Sequence, residues 1–415
     1  MAKPRTYKGT WWLPTGNEAS RHEGTLTIDE NNHCVLTLQG DLNGNSRFES
    51  VAVYWGQIKW DTPITLFGLT LQQWIVGSSV SFNVRYVIEG AHIQSLDEPF
   101  FDECHAEFPY FQKWTEASMM WVPQDEENKV FTIEYGKDHV YVQGDLGDGL
   151  TYKIADRTWC RQSTDVFSAQ KETQYLVVSD KPLSIRVFNN QIREFAQFLS
   201  LAMFSKQQPS KIYYKRNGDD EAYKLVFVAS PSVKPFDMPL IPLRKLVDRI
   251  PTFYANYHSV YDKISTLTKY LLTSLNVNDF DAPDFVIVAQ ALEGYYQRFL
   301  KGTEGVGNRK WEELIKRFDD IDAIKECNID ADVLKDTRDV YSHLYIDDSS
   351  SVVTEINDLI ILTQKCKVLL TCCILEQIGM THEEISECFD KSIVQYMVYN
   401  VKKYEEKKRE MTVEQ

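Results

Sequence analysis

Pro231-Ser232-Val233-Lys234-Pro235-Phe236-Asp237-Met238-Pro239-Leu240-Ile241-Pro242, followed by Pro251, is the stretch on which the fold turns. Proline lacks the backbone N–H and fixes φ, so repeated prolines block both helix continuation and strand pairing. The hydrophobic period differs on its two sides: upstream, apolar residues alternate in short runs, and downstream they recur at spacings of three and four. The stretch therefore predicts a boundary, with a β-rich domain over 1–235, a proline-rich linker over 236–250 and an all-α bundle over 251–415. The fold class is α+β, multidomain.

Upstream, Thr25-Leu26-Thr27-Ile28, Val35-Leu36-Thr37-Leu38, Val51-Ala52-Val53-Tyr54, Val84-Arg85-Tyr86-Val87-Ile88, Phe131-Thr132-Ile133-Glu134-Tyr135 and Tyr175-Leu176-Val177-Val178 read as strands separated by Gly, Asn and Asp. Such spacing favours an antiparallel sandwich or barrel, and a sandwich-like domain is the expectation. Eight of the nine tryptophans precede residue 160. Their rings suit sheet faces, as plain core or, on a sharper reading, as the lining of a ligand groove. A helix carrying Ile192, Phe195, Phe198, Leu199, Ala202 and Met203 interrupts the strands, which return at Lys211-Ile212-Tyr213-Tyr214 and Leu225-Val226-Phe227-Val228. This part is expected as a small α/β appendage.

Downstream, Tyr254, Tyr257, Tyr261, Ile264, Leu267 and Leu271 form one helical stripe, and Phe285, Val288, Ala289, Leu292, Tyr296 and Phe299 a second. The second helix opens after Asp281 with Pro283 in its first turn, where a missing N–H costs nothing. Further helices are expected over 311–318, 331–345 and 352–378, the last stopped by Gly379. Thr381 and Glu384 form a capping box for a final helix, whose charged end over 402–409 is expected to be solvated or frayed.

With 43% hydrophobic and 25% charged residues the chain is neither collagen-like, coiled-coil nor wholly disordered. Its apolar run over 368–375 falls far short of the roughly 20 residues that span a bilayer, and its first residues lack a secretory h-region, so a cytoplasmic protein without membrane contact is expected. A net charge of −15 excludes general attraction to polyphosphate. From Pro251 onward there are 19 basic and 29 acidic residues, so the helical half is the more acidic. Eight cysteines without C-x-x-C spacing read as reduced thiols. His33-Cys34 and Cys104-His105 would face opposite sides of their strands, so neither pair suggests a metal. No metal and no cofactor is expected.

Gly302 to Arg309 has the G-x4-G part of a phosphate loop but lacks its Lys-Ser/Thr pair and follows a helix, so it reads as a turn. Asp279, Asp281 and Asp284 lack the register of a calcium loop and read as caps. What remains is Arg338-Asp339-Val340-Tyr341-Ser342-His343, an Arg and a His separated by four residues on a helix of the bundle. The motif resembles the R-x4-6-H signature of the HEPN superfamily, whose Arg is typically followed by a polar residue, here Asp339. Arg85 and His92 satisfy the spacing too, but in a strand-turn region. A β-rich N-terminal half with the aromatic stretch Phe108-Pro109-Tyr110-Phe111-Gln112-Lys113-Trp114, followed by such a bundle, is similar to the ApeA-type anti-phage HEPN proteins over most of the chain.

That resemblance implies an endoribonuclease, a homodimer with two motifs at one interface, and an N-terminal domain that senses or regulates, with a phage-derived trigger as its partner. The chemistry agrees with it. Metal-free RNA cleavage needs a base for the 2′-OH, an acid for the 5′-oxygen and positive charge on the phosphorane. His343 can move either proton, and Arg338 can hold phosphate in a fork. Asp339 and His343, at i and i+4, share a helix face, so Asp339 is expected to support His343. The catalytic set is thus Arg338 and His343, with Asp339 supporting, and RNA as substrate. The bland alternative pairs Arg338 with Asp336 or Asp339 and leaves His343 in water. Its functional counterpart is a non-catalytic HEPN protein that dimerises while its β domain binds a ligand or phage component. Acidic neighbours (Asp332, Asp336, Asp347, Asp348) suggest a narrow substrate or an off state.

Overall fold

The structure, a computed structural model, describes residues 4–14, 21–40, 50–75, 78–115, 124–125, 130–131, 139–162, 167–275, 280–300, 309–344, 351–390 and 392–413. Its contacts divide the chain into two compact units. The first comprises 1–111, 119–193 and 208–231, and the second 112–118, 194–207 and 232–415. The partition is therefore not a single cut within the proline-rich stretch.

In the first unit, β1 (Arg5–Trp12), β2 (His22–Ile28), β3 (Cys34–Gln39), β4 (Ser50–Ile58), β5 (Thr62–Ile75) and β6 (Ser79–Glu89) close into an antiparallel barrel of order β1-β2-β3-β6-β5-β4. The alternation read from the sequence supplies its filling: Trp11, Leu26, Leu36, Leu66 and Phe82 point inward and are out of water. Gly56 makes room for this, because a Cβ there would lie 2.2 Å from the Trp11 ring. A barrel thus replaces the expected sandwich, since the long β5 and β6 pair along their length and leave no free edge between them.

Strand β6 also carries the sheet onward. Its first half pairs with β3, while Tyr86 to Ile88 pair with β14 (Tyr223–Phe227). From there the order runs through β13 (Lys211–Lys215), β7 (Phe101–Glu107), β12 (Phe167–Leu183) and β11 (Leu150–Gln162) to β10 (Val140–Gly147). The expected appendage is therefore the joint between barrel and sheet, because β13 and β14 supply the bridging pairs. The short pair β8 (Gln124–Asp125) and β9 (Val130–Phe131) covers only the start of the strand expected at Phe131, and residues 132–138 lie outside the described residues.

Helix α1 (Phe111–Thr115) and helix α2 (Ile185–Ala202) each contribute residues to both units. Within the second unit, Trp114 Nε1 donates to the Ile241 carbonyl at 2.7 Å, and Phe198 packs on Tyr254 with ring centroids 5.0 Å apart. Helix α3 (Leu243–Leu246) leads into α4 (Ile250–Ser259) and α5 (Tyr261–Ser274). The single stripe expected over 254–271 breaks at Val260 (φ −109°, ψ 9°), where the Ser259 hydroxyl donates to the Asn256 carbonyl at 2.8 Å. Helix α6 (Ala282–Tyr295) opens on the Asp281–Asp284 capping box with proline in its first turn. After α7 (Arg309–Arg317) comes a short α8 (Asp322–Cys327) that the periodicity did not announce, then α9 (Ala331–His343). The turn read at Gly302 lies outside the described residues.

Helix α10 (Ile356–Gln377) is the core element. It is buried on every side from Val368 to Leu375 and packs against α5, α6, α8, α11 (His382–Phe389) and α12 (Ile393–Val413). Gly379, at φ 89°, takes the left-handed conformation that ends it, and the Thr381–Glu384 capping box starts α11. The expected final helix is split into α11 and α12, and its charged end over 402–409 is largely exposed, as expected, while staying helical. Lys402 pairs with Glu326 at 2.9 Å and Lys408 with Asp358 at 2.6 Å, holding α12 helical to Val413. Among the described residues no helix is long and apolar enough to cross a membrane.

Candidate active site

Helix α9 begins where the Asp330 carboxylate accepts the amides of Asp332 and Val333 at 2.9 and 3.0 Å, which satisfies two otherwise orphaned donors. Its position is fixed by the segment before α10. Thr337 Oγ1 accepts from the Val353 amide at 3.0 Å, and Ser351 Oγ donates to Asp336 at 2.6 Å. The Ser351 hydrogen bond, with one from Lys335, holds Asp336 below the usual carboxylate range, and Asp336 in turn raises Lys335. Tyr341 meets Phe285 of α6 edge-on, with centroids 6.2 Å apart.

The Arg338 guanidinium is the centre of the site. It forms an ion pair with Glu293 of α6 and another with Asp339 at 2.8 Å. The second oxygen of Glu293 takes Lys310 from α7, so three helices converge on one carboxylate. The side chains of Lys310, Glu293 and Arg338 are only 15%, 17% and 17% exposed. Arg338 Nε is buried without a hydrogen-bond partner, as is Ser342 Oγ one turn further on. Unfilled buried donors are few in folded proteins, and each calls for a cause, a catalytic role or a bound ion among them.

His343 is the last residue of α9 and is exposed. The helix stops there because Leu344 adopts the left-handed conformation at φ 54°, unusual for a branched side chain that is also 86% exposed. Of the three residues singled out from the sequence, Arg338 and Asp339 are brought together, while His343 lies at the open end of the same helix. Asp339 gives its carboxylate to Arg338 and lies 3.9 Å from Lys335. Glu293 and Lys310 escape a reading based on spacing, because their contacts are made between helices. The one local signal was a glutamate set among the buried apolar residues of α6.

The second Arg–His spacing has no such convergence. Arg85 lies over Tyr86, while His92 stacks on Trp55 with centroids 5.0 Å apart. Cys34, Cys104, Cys327, Cys366, Cys372, Cys373 and Cys388 are free and buried, and burial pushes Cys34, Cys327, Cys366 and Cys388 up to about 12, far from a reactive thiolate. Among the described residues no group of three or more His, Cys, Asp or Glu could hold a metal ion.

Comparison with known families gives two matches. The family described as ApeA N-terminal domain 1 matches residues 6–257, and that described as Apea-like HEPN matches 286–384. Glu293, Lys310, Arg338, Asp339 and His343 all fall in the second. No curated protein and no solved structure matches the chain. With a barrel-and-sheet unit under the first match, a helical bundle under the second and an arginine-centred site in that bundle, the chain belongs to the ApeA-type HEPN family of anti-phage defence proteins.

Proposed function

We propose that this protein is a metal-independent RNA endonuclease of anti-phage defence, in which Arg338 and His343 from two chains meet at a HEPN homodimer interface. The observation that carries the reading is Arg338 itself, held mostly out of water yet with a buried Nε donor unfilled, on the helix that ends at His343. An arginine so held is preorganised for a phosphate and loses little on binding one. His343 of one chain takes the 2′-OH proton. The 2′-oxygen attacks phosphorus, the P–O5′ bond breaks, and His343 of the other chain protonates the 5′-oxygen. The products are a 2′,3′-cyclic phosphate and a 5′-hydroxyl. Asp339 supports the pair by fixing the guanidinium.

Exposed Leu344 beside His343 suits the apolar core of an interface around such a shared cleft. The region over 1–235 is assigned to sensing a phage-derived trigger, and action on bacterial RNA would make the protein cytoplasmic. A second reading, a HEPN bundle that dimerises without catalysis, is favoured by one observation: the formal charges of Lys310, Arg338, Glu293 and Asp339 cancel. Incubating total bacterial RNA with the purified protein and with its His343→Ala and Arg338→Ala variants separates the two. The nuclease reading expects cyclic-phosphate ends from the wild type alone; an inert wild type that still dimerises supports the second.

A further inference from the structure

Glu293 does more than pair with Arg338. One of its oxygens faces Arg338 of α9 and the other faces Lys310 of α7, so a single anionic group bridges two cations from different helices. All three are largely withdrawn from solvent, where an unpaired charge would be expensive, so the cations need an anion between them at all times. A phosphate diester presents the same thing as a carboxylate: two oxygens sharing one negative charge. It would also supply an acceptor for Arg338 Nε, which Glu293 leaves unfilled. The backbone beside Glu293 is irregular, because α6 passes at Tyr296–Leu300 into a π-helical turn, a feature common at functional sites.

Building on the nuclease reading, we propose that Lys310 is a second phosphate-binding residue of the site, and that Lys310 and Arg338 form a two-cation clamp which Glu293 fills until an RNA phosphate displaces it. Exchange of one anion for another keeps both cations paired throughout. It also shows how so acidic a bundle grips RNA: counting Asp339, the site is neutral while Glu293 occupies it and has a net positive charge once Glu293 swings out. Lys310 and Arg338 touch substrate in this scheme, whereas Glu293 acts through them as a competitor.

The test is filter binding of 5′-labelled total bacterial RNA to the full chain over a range of KCl concentrations, in a His343→Ala background so that the RNA stays whole. Lys310→Gln is expected to weaken binding and to flatten the plot of log affinity against log salt by about 1, the loss of one phosphate contact. Lys310→Arg is expected to restore both, which separates a lost contact from a damaged fold. Glu293→Gln is expected to tighten binding, because the competing charge is gone. Unchanged affinity and slope in Lys310→Gln, or weaker binding in Glu293→Gln, would overturn the clamp. If that happens while the protein with His343 intact still cuts RNA, the nuclease reading stands without it; if that protein neither binds nor cuts RNA, both fall.

Discussion

Arg338 shows how much of the site a single residue reveals. Its spacing from His343 was legible in the sequence because both lie on one helix, and helical register is a local property. Its partnership with Glu293 and Lys310 was not, because that depends on how α6, α7 and α9 pack. Arg338→Ala and His343→Ala should each lower RNA cleavage by about 100-fold or more, the scale of lost acid–base or phosphorane stabilisation. Asp339→Asn should cost clearly less, since an amide oxygen can still accept from Arg338. Cleavage rates alongside thermal melts check this, and a loss in Asp339→Asn as deep as in His343→Ala would give Asp339 a larger part. Lys367 offers a test of stability. Burial lowers its ammonium to about 8, and the Ser274 carbonyl at 2.6 Å is its hydrogen-bond acceptor. Because the folded pKa lies below the unfolded one, the penalty is full below pH 8 and fades as pH rises towards 10.5. Lys367→Met should therefore stabilise the protein at pH 7 by on the order of 2 kcal/mol, less whatever the lost hydrogen bond contributed, with the gain shrinking by pH 10. Denaturant melts at the two pH values would show it, and a gain independent of pH would refute the burial argument.

Element boundaries were legible where chemistry marks them. The capping boxes at Asp281 and Thr381 and the stop at Gly379 appear where the residues predict them, because each is a local contest over unsatisfied backbone groups. The break at Val260 and the helix over 322–327 were not, since apolar periodicity runs through a kink and a six-residue helix holds too few turns to show one. The charged end of α12 is solvated as its composition predicts, but its ion pairs to Glu326 and Asp358 could not be read from spacing, because they join residues far apart in the chain. The helix that carries the site rests on Asp330. Asp330→Ala should cost about 1 kcal/mol, the usual loss of an N-cap, and lower the melting temperature while leaving chemistry at His343 largely intact. If cleavage collapsed with no change in melting, Asp330 would belong to the site instead of the helix.

At the scale of the molecule, the change of period across the prolines correctly announced a β-rich half followed by a helical one. Closure of the barrel was hidden, because it depends on β6 pairing with both β3 and β5 and on β4 pairing with β1, and alternation within a strand says nothing about its neighbours. The nuclease reading also requires a second chain. Mixing Arg338→Ala and His343→Ala chains tests this, because heterodimers redistribute the missing Arg and His between two composite sites. A strictly monomeric protein that still cuts RNA would rule out the shared cleft. Cleavage should also survive EDTA, as the Arg–His chemistry needs no metal; activity abolished by chelation and restored by magnesium would contradict it.

The most direct measurement is to sequence RNA ends, with capture of 2′,3′-cyclic phosphates, after phage challenge of bacteria expressing either the wild type or His343→Ala at equal protein levels. The account expects new cyclic-phosphate ends at defined positions in the wild type and none in the variant. Identical ends in both strains, or none in a wild type that still protects against phage, would contradict it.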